Sequence, residues 1–214
     1  MLPQPWLDVA LIVGAYLVGS LPMGVIVARL TGARDPRTVG SGRTGGTNAW
    51  RAMGLPRGIL VGVLDIAKGA LPVLIATLLG SSLLIRAVAG IAAVIGAWAS
   101  VFLRFHGGRG VATGIGATTV IQPLVILLGA PLFFGVIAWT RIVSLGSLVG
   151  SAVGGALLIP FVLLGFNPWT DLLFVAAGVG VVWFAHRDNI GRLIRGQERR
   201  IEFSVGGRNV DPPA

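Results

Sequence analysis

The chain has 214 residues, 54% of them hydrophobic and only 12% charged, with a mean hydropathy of +0.86. These proportions lie outside the range of water-soluble globular domains and mark an all-α, polytopic integral membrane protein. The absence of cysteine excludes disulfides, thiolate nucleophiles and cysteine metal sites, and the net charge of +9 sits in clustered arginines without the aromatic interleaving of a nucleic-acid surface.

The first eight residues carry no Lys or Arg, so the N-terminal apolar run lacks the basic start of a cleavable signal peptide and reads as a retained helix. Leu7 to Leu30 is long enough to span a bilayer, and Pro22 is expected to bend it near one end. The loop from Thr31 to Arg57 contains a glycine-dense polar island, Val39 to Arg51, VGSGRTGGTNAWR. Its glycines Gly40, Gly42, Gly45 and Gly46 let backbone N–H groups approach a ligand, while Ser41, Arg43, Thr47, Asn48 and Arg51 add donors; that chemistry suits phosphate. On composition alone, a basic cytoplasmic loop that only fixes topology is an equal reading. Gly40, Gly42 and Gly45 spell G-x-G-x-x-G, but no strand-helix-strand context surrounds them, and no Lys-Ser/Thr pair completes a Walker pattern.

Ile59 to Leu79 is the next span, and it holds Asp65 and Lys68 one helical turn apart. Ionisable groups inside a span are costly and point by default to function, but opposite charges at this spacing are expected to neutralise each other as a structural brace, which is favoured over a catalytic role. A third span, Leu83 to Leu103, leads to a second polar island, Arg104 to Gly110, RFHGGRG. Here Gly107, Gly108, Arg109 and Gly110 precede an apolar segment beginning at Val111, with Thr113 adding a hydroxyl; a helix N-terminus in that position favours an anion, although for this island alone a plain glycine-rich turn between helices is the slightly favoured reading. Val111 to Trp139 is uncharged, too long for one span and too short for two full ones, and Gln122-Pro123 splits it. Ile142 to Phe166 follows, with Gly146, Gly150 and Gly154 at the four-residue spacing of close helix packing. Trp169 to Ala185 is the last span. A basic tail begins with a third island, His186, Arg187 and Asn189, and includes Glu198 and an amphipathic stretch after Asn189.

The arginines decide how often Val111 to Trp139 crosses. Two crossings give about seven transmembrane helices and put the loops at 31–57, 104–110 and 140–141 on one side with the tail, as the positive-inside rule requires. The expectation is therefore an N-terminus outside, a C-terminus in the cytoplasm, and a short fourth helix of roughly eleven to thirteen residues, which at about 1.5 Å per residue cannot cross a core of about 30 Å. The second island must then be sunk below the surface, where irregular backbone is tolerated only inside protein or along a water-filled cavity. Residues 1–202 form one membrane-embedded domain, and residues 203–214 a polar tail.

The segments GSLPMG, VGSGRTGGTNAWRAMG, LDIAKGALPV, FLRFHGGRGVATGIG and HRDNIGRLIRGQE, in this order, resemble the bacterial membrane family of acyl-phosphate:glycerol-3-phosphate acyltransferases from about Tyr16 to Glu202. The resemblance implies transfer of a fatty acyl group from acyl phosphate to the 1-hydroxyl of sn-glycerol 3-phosphate, giving lysophosphatidic acid and phosphate in phospholipid biosynthesis. It implies no metal or other cofactor, a bacterial inner-membrane location and an active site facing the cytoplasm. It places the reaction on Ser41, Arg51, His186 and Asn189, and the substrate phosphates on Thr47, Asn48, Gly107, Gly108, Arg109, Gly110 and Thr113, to which the chemistry of the first island adds Gly40, Gly42 and Arg43. Asp65, Lys68 and Glu198 are assigned structural roles. The chain departs from the family's usual pattern at Arg43, Ala97 and Arg109, where Asn, His and Lys are usual. His186 is open between a base and a positioning group. A membrane transporter of phosphate or an organophosphate is the alternative from another class, although no repeat-related counterpart of the islands lies in the outer loops. A scaffold in a lipid-synthesis complex is a third.

Overall fold

Helices begin and end at the proline and glycine punctuation of the sequence in the computed structural model, which describes residues 4–201. The described residues form ten α-helices and no strand: α1 Gln4–Ser20, α2 Met23–Leu30, α3 Gly46–Met53, α4 Leu55–Leu78, α5 Leu83–Trp98, α6 Val111–Ile121, α7 Pro123–Thr140, α8 Val143–Leu163, α9 Thr170–Ala185 and α10 Arg187–Ile194. By length and composition four of these are able to cross a membrane, or up to six if each bent pair counts as one span. The bent pairs are α1 with α2, at 51° around Pro22, and α9 with α10, at 60° around His186. Gln122-Pro123 separates α6 from α7 as its sequence suggests. The tail at 203–214 lies outside the described residues.

One expectation is corrected. The stretch 31–57 is not all loop, because its second half forms α3, which carries Thr47, Asn48 and Arg51. TNAWRAM places Asn48, Ala49 and Met53 on one buried face, a helical pattern that the surrounding glycines mask.

Small residues let the helices meet backbone to backbone, which replaces the hydrophobic drive missing in lipid. On the α1–α5 pair, Gly19 lies against the Ala93 carbonyl and Gly96 against that of Tyr16. On the α4–α6 pair, Gly69 meets the Thr113 carbonyl and Gly116 that of Ile66, so a Cβ at either position would overlap backbone. The crossing therefore sits near the middle of both helices, although α4 has 24 residues and α6 has 11. At about 1.5 Å per residue α6 is only ~16 Å long, so its first turn starts inside the bundle. The loop before it is drawn in with it. Gly146, Gly150 and Gly154 face α7, against Phe133, Ile137 and Val125.

Two polar braces fix the breaks. Lys68 Nζ lies 2.8 Å from Asp65 Oδ1 and donates at 2.9 Å to the carbonyl of Leu21, at the break between α1 and α2. Both side chains are buried, so the pair neutralises itself while it ties down the kink. On another face, Gln122 donates to Asn167 and Asn167 donates to Asp171, joining the α6–α7 break to the α8–α9 turn. Lys68→Met should lower stability by about 3–5 kcal/mol, because it strands a buried carboxylate, and Asp65→Asn added to it should recover much of the loss. Thermal unfolding in detergent reads both. A single variant as stable as wild type would remove the brace.

Candidate active site

The first loop is wound around one amide. Asn48, on α3, is buried, and its Nδ2 donates to the carbonyls of Pro36 at 2.6 Å, Arg43 at 2.9 Å and Val39 at 3.1 Å. With two hydrogens for three acceptors, one bond is shared. Its Oδ1 accepts from the Ser41 N–H at 3.1 Å. Gly40, at φ 53°, turns so close to Oδ1 that a side chain there would strike it. α2 holds the loop from the other side, where Gly24 abuts the Thr44 carbonyl.

The second loop hangs from the end of α5. The N–H of Gly107 donates to Trp98 at 2.9 Å and that of Gly108 to Ala97 at 2.8 Å, so these groups cap α5. Arg43 joins the loops, donating to the Gly107 carbonyl at 3.3 Å. Gly110, at φ 76°, is the N-cap of α6 and aims its first turn, with Thr113, at the space between the loops.

That space is a cavity of about 450 Å³. The structure brings Ser41, Arg43, Thr47, Asn48, Arg51, Asp65, Lys68, Gly108, Arg109, Gly110, Thr113, His186, Asn189 and Glu198 onto its wall. It does not bring Gly40, Gly42 or Gly107 there. Gly40 and Gly42, both at positive φ, shape the first loop instead, and Gly107 anchors the second.

The cavity is strongly cationic. Of its carboxylates, Asp65 is paired with Lys68, while Glu198 Oε2 takes Arg192 Nε at 2.8 Å. Arg43, Arg51, Arg109 and Arg199 also line it, and none has a carboxylate within ion-pair distance among the described residues. Burial lowers the pKa of Arg51, helped by Arg199 and opposed by Glu198. Arg109 is pushed down to about 10 by burial and then by the charge of Arg43. Both remain cations at neutral pH, held in a place that favours an anion beside them.

Three residues on this wall each hold a buried polar atom that has no hydrogen-bond partner among the described residues: Arg109 Nε, Asn189 Oδ1 and Ser144 Oγ. The Asn189 amide is oriented by chemistry, since its neighbour at 2.6 Å is Glu198 Oε1, which accepts only, so Nδ2 must face it and leave Oδ1 as an acceptor. A carboxylate thus presents an acceptor, and Arg109 presents a donor. His186 is treated likewise: its Nδ1 lies 2.7 Å from the Val182 carbonyl, so Nδ1 carries the hydrogen and Nε2 keeps a lone pair. Burial, with the charges of Arg109 and Arg43, pushes its pKa down to about 4, so the ring is neutral at physiological pH.

The sequence reading missed Ser144 and Ser147 of α8, and Arg199 and Ile201 in the strand of chain after α10. The serines had a signal, three polar residues (144, 147, 151) at helical spacing in an apolar span. The return segment had none. It is held by Glu198 and by the Ile201 N–H, which donates to the Arg141 carbonyl at 2.7 Å.

With this geometry in place, the relatives of the chain are informative. Residues 9–196 match the family model described as glycerol-3-phosphate acyltransferase. Curated proteins of that name from Roseiflexus sp. (strain RS-1) and Aquifex aeolicus (strain VF5) are 41% and 40% identical, over 91% and 89% of this chain and 96% and 97% of theirs. Crystal structures of PlsY (YgiH), an integral membrane glycerol 3-phosphate acyltransferase, are similar throughout. The glycerol 3-phosphate form gives a TM-score of 0.83 at 35% identity, covering 91% of this chain and 96% of that one. The lysophosphatidic acid form gives 0.80 at 32%, covering 91% and 95%. The chain therefore belongs to the glycerol-3-phosphate acyltransferase family of integral membrane proteins.

Proposed function

We propose that this protein transfers a fatty acyl group from acyl phosphate to the 1-hydroxyl of sn-glycerol 3-phosphate, forming lysophosphatidic acid and phosphate in a bacterial inner membrane. The observation that carries the reading is the pairing, on one wall, of half-buried arginines that have no carboxylate partner among the described residues with residues that hold unpartnered hydrogen-bonding atoms. An anion that also carries hydroxyl groups completes both sets. A phosphorylated polyol has that chemistry.

Arg51 and Arg109 hold phosphate charge, with Arg43 beside them. Asn189 Oδ1 and His186 Nε2 accept from substrate hydroxyls, and Ser41, Thr47 and Ser144 are further hydrogen-bonding groups. Asn48 acts one step back, by shaping the loop that presents Ser41. In the reaction the glycerol oxygen bonds to the acyl carbon, the acyl–phosphate C–O bond breaks, and the hydroxyl proton passes to a phosphate oxygen. Acyl phosphate is already activated, so catalysis consists of alignment and fixed donors around the developing charge. A second cavity of about 270 Å³, lined almost wholly by apolar groups of α6 to α9, adjoins the first and shares Ile66, Val111, Ile115, Phe133, Phe134 and Ser147 with it. It takes the acyl chain.

The helices assemble into seven membrane segments, counting each bent pair once and the short α6, with the N-terminus outside and the site facing the cytoplasm. A reporter fused after Ala214 should be cytoplasmic, and one inserted between Gly165 and Pro168 external; the reverse would break this topology.

Purified protein offered glycerol 3-phosphate should form lysophosphatidic acid with acyl phosphate and not with acyl thioesters, and thioester-dependent turnover would overturn the donor. Arg51→Ala should lose roughly ten- to 150-fold, the worth of a charge-assisted hydrogen bond of about 1.5 to 3 kcal/mol. Unchanged turnover would remove Arg51 from the site.

His186 is proposed as a positioning acceptor, because a ring with a pKa of about 4 is a weak base at neutral pH. His186→Gln should keep more activity than His186→Ala, and the wild-type rate should show no ionisation near pH 6.5 that vanishes in the variants. Equal large losses with such an ionisation would make it a base. The lowered pKa also fixes a sign: the unfolded chain binds this proton first, so stability should fall as pH drops from 6.5 towards about 4, a slope that His186→Gln should reduce.

A further inference from the structure

We infer that the apolar cavity is a ruler for the acyl chain, with Phe174 as its floor and the bare backbone of Gly129 and Gly178 as its mid-depth walls. The inference rests on the acyl-transfer reading above and adds to it a length limit.

The cavity has a mouth and a bottom. At the mouth Phe133 and Phe134 line both cavities, their rings 5.0 Å apart and nearly perpendicular. At the bottom the walls converge: Gly154 lies against Val125, Gly155 against Val175, and the Phe174 ring presses on Gly90 of α5. Phe174 is 3% exposed and belongs to a core cluster with Val73, Ala87 and Ala117, so it is a fixed wall. Continuity with the polar cavity identifies the occupant, since an alkyl chain whose head is held among the arginines has this as its apolar continuation.

His186 caps the end of α9 at the level of the polar site, and Phe174 lies twelve residues earlier on the same helix. At about 1.5 Å per residue that is a depth of ~18 Å. A C–C bond of about 1.52 Å at an angle of about 111° advances an extended chain by ~1.25 Å, so the depth holds about fourteen carbons. Gly178, eight residues from His186, stands at about ten carbons on the same scale. A Cβ built at Gly178 or at Gly129 meets nothing within 4 Å. A side chain at either position thus enters the slot without striking backbone. Each methylene kept from the slot should cost about fourfold in catalytic efficiency.

The test uses purified protein, glycerol 3-phosphate and acyl phosphates of eight to eighteen carbons. It reads kcat/KM of each variant as a ratio to wild type at each length, which cancels partition of the substrate into detergent. Gly178→Leu and Gly129→Leu should give ratios near one up to about ten carbons and at least a tenfold fall at fourteen to sixteen. Phe174→Ala should raise the ratio at eighteen carbons at least threefold above its value at twelve. Ratios flat across all lengths, including a uniform loss, would overturn the ruler, and three variants on three helix positions keep the test standing if one fails to fold. Wild type without transfer at any length would instead overturn the acyl-transfer reading on which the ruler stands.

Discussion

Half-buried positive charge without a matching carboxylate among the described residues is the constraint around which this protein is arranged. Arg43, Arg51, Arg109 and Arg199 reach one cavity, while both nearby carboxylates are already engaged by Lys68 and Arg192. Holding such charges together and partly away from water is unfavourable unless the surrounding structure over-determines their positions or an anion completes them. The fold supplies the first condition. On the proposed function, the phosphate of a substrate supplies the second.

The over-determination is local and can be followed residue by residue. Asn48 winds the first loop on four backbone groups, the free carbonyls at the end of α5 hold the second, and Arg43 joins the two. The Gly69–Gly116 crossing draws the short α6, and with it Arg109, into the bundle. The Lys68 brace fixes the kink that orients α2, whose Gly24 backs the first loop. Asn48, the carbonyls at the end of α5, the glycine crossing and Gly24 each fix the position of a group on the cavity wall through contacts within the protein.

Much of this was legible in the sequence because membranes make helices obligatory and punctuate them simply. Pro22 and Gln122-Pro123 marked real breaks, and the awkward length of Val111 to Trp139 pointed to a short helix. Asp65 and Lys68 form the ion pair that their spacing suggested. What stayed hidden depends on tertiary context. Glycines read as an anion cradle at 107 and 108 direct their N–H groups to α5, which only the fold reveals. Asn48 reads as a donor for a ligand until its burial among loop carbonyls is seen. Ser144 and Arg199 lie far in sequence from the polar islands and become neighbours only when α8 and the return segment close the cavity.

The central claim is that one ligand, both anionic and hydroxylated, completes the arginines together with Asn189 and His186. The most direct measurement is calorimetric binding of glycerol 3-phosphate and of propyl phosphate, which keeps the phosphate and lacks the hydroxyls, to the purified protein. Leaving buried acceptors unpaired costs about 1–3 kcal/mol, so propyl phosphate should bind roughly five- to 150-fold more weakly. Equal affinities would show that the cavity recognises phosphate alone and would contradict the account.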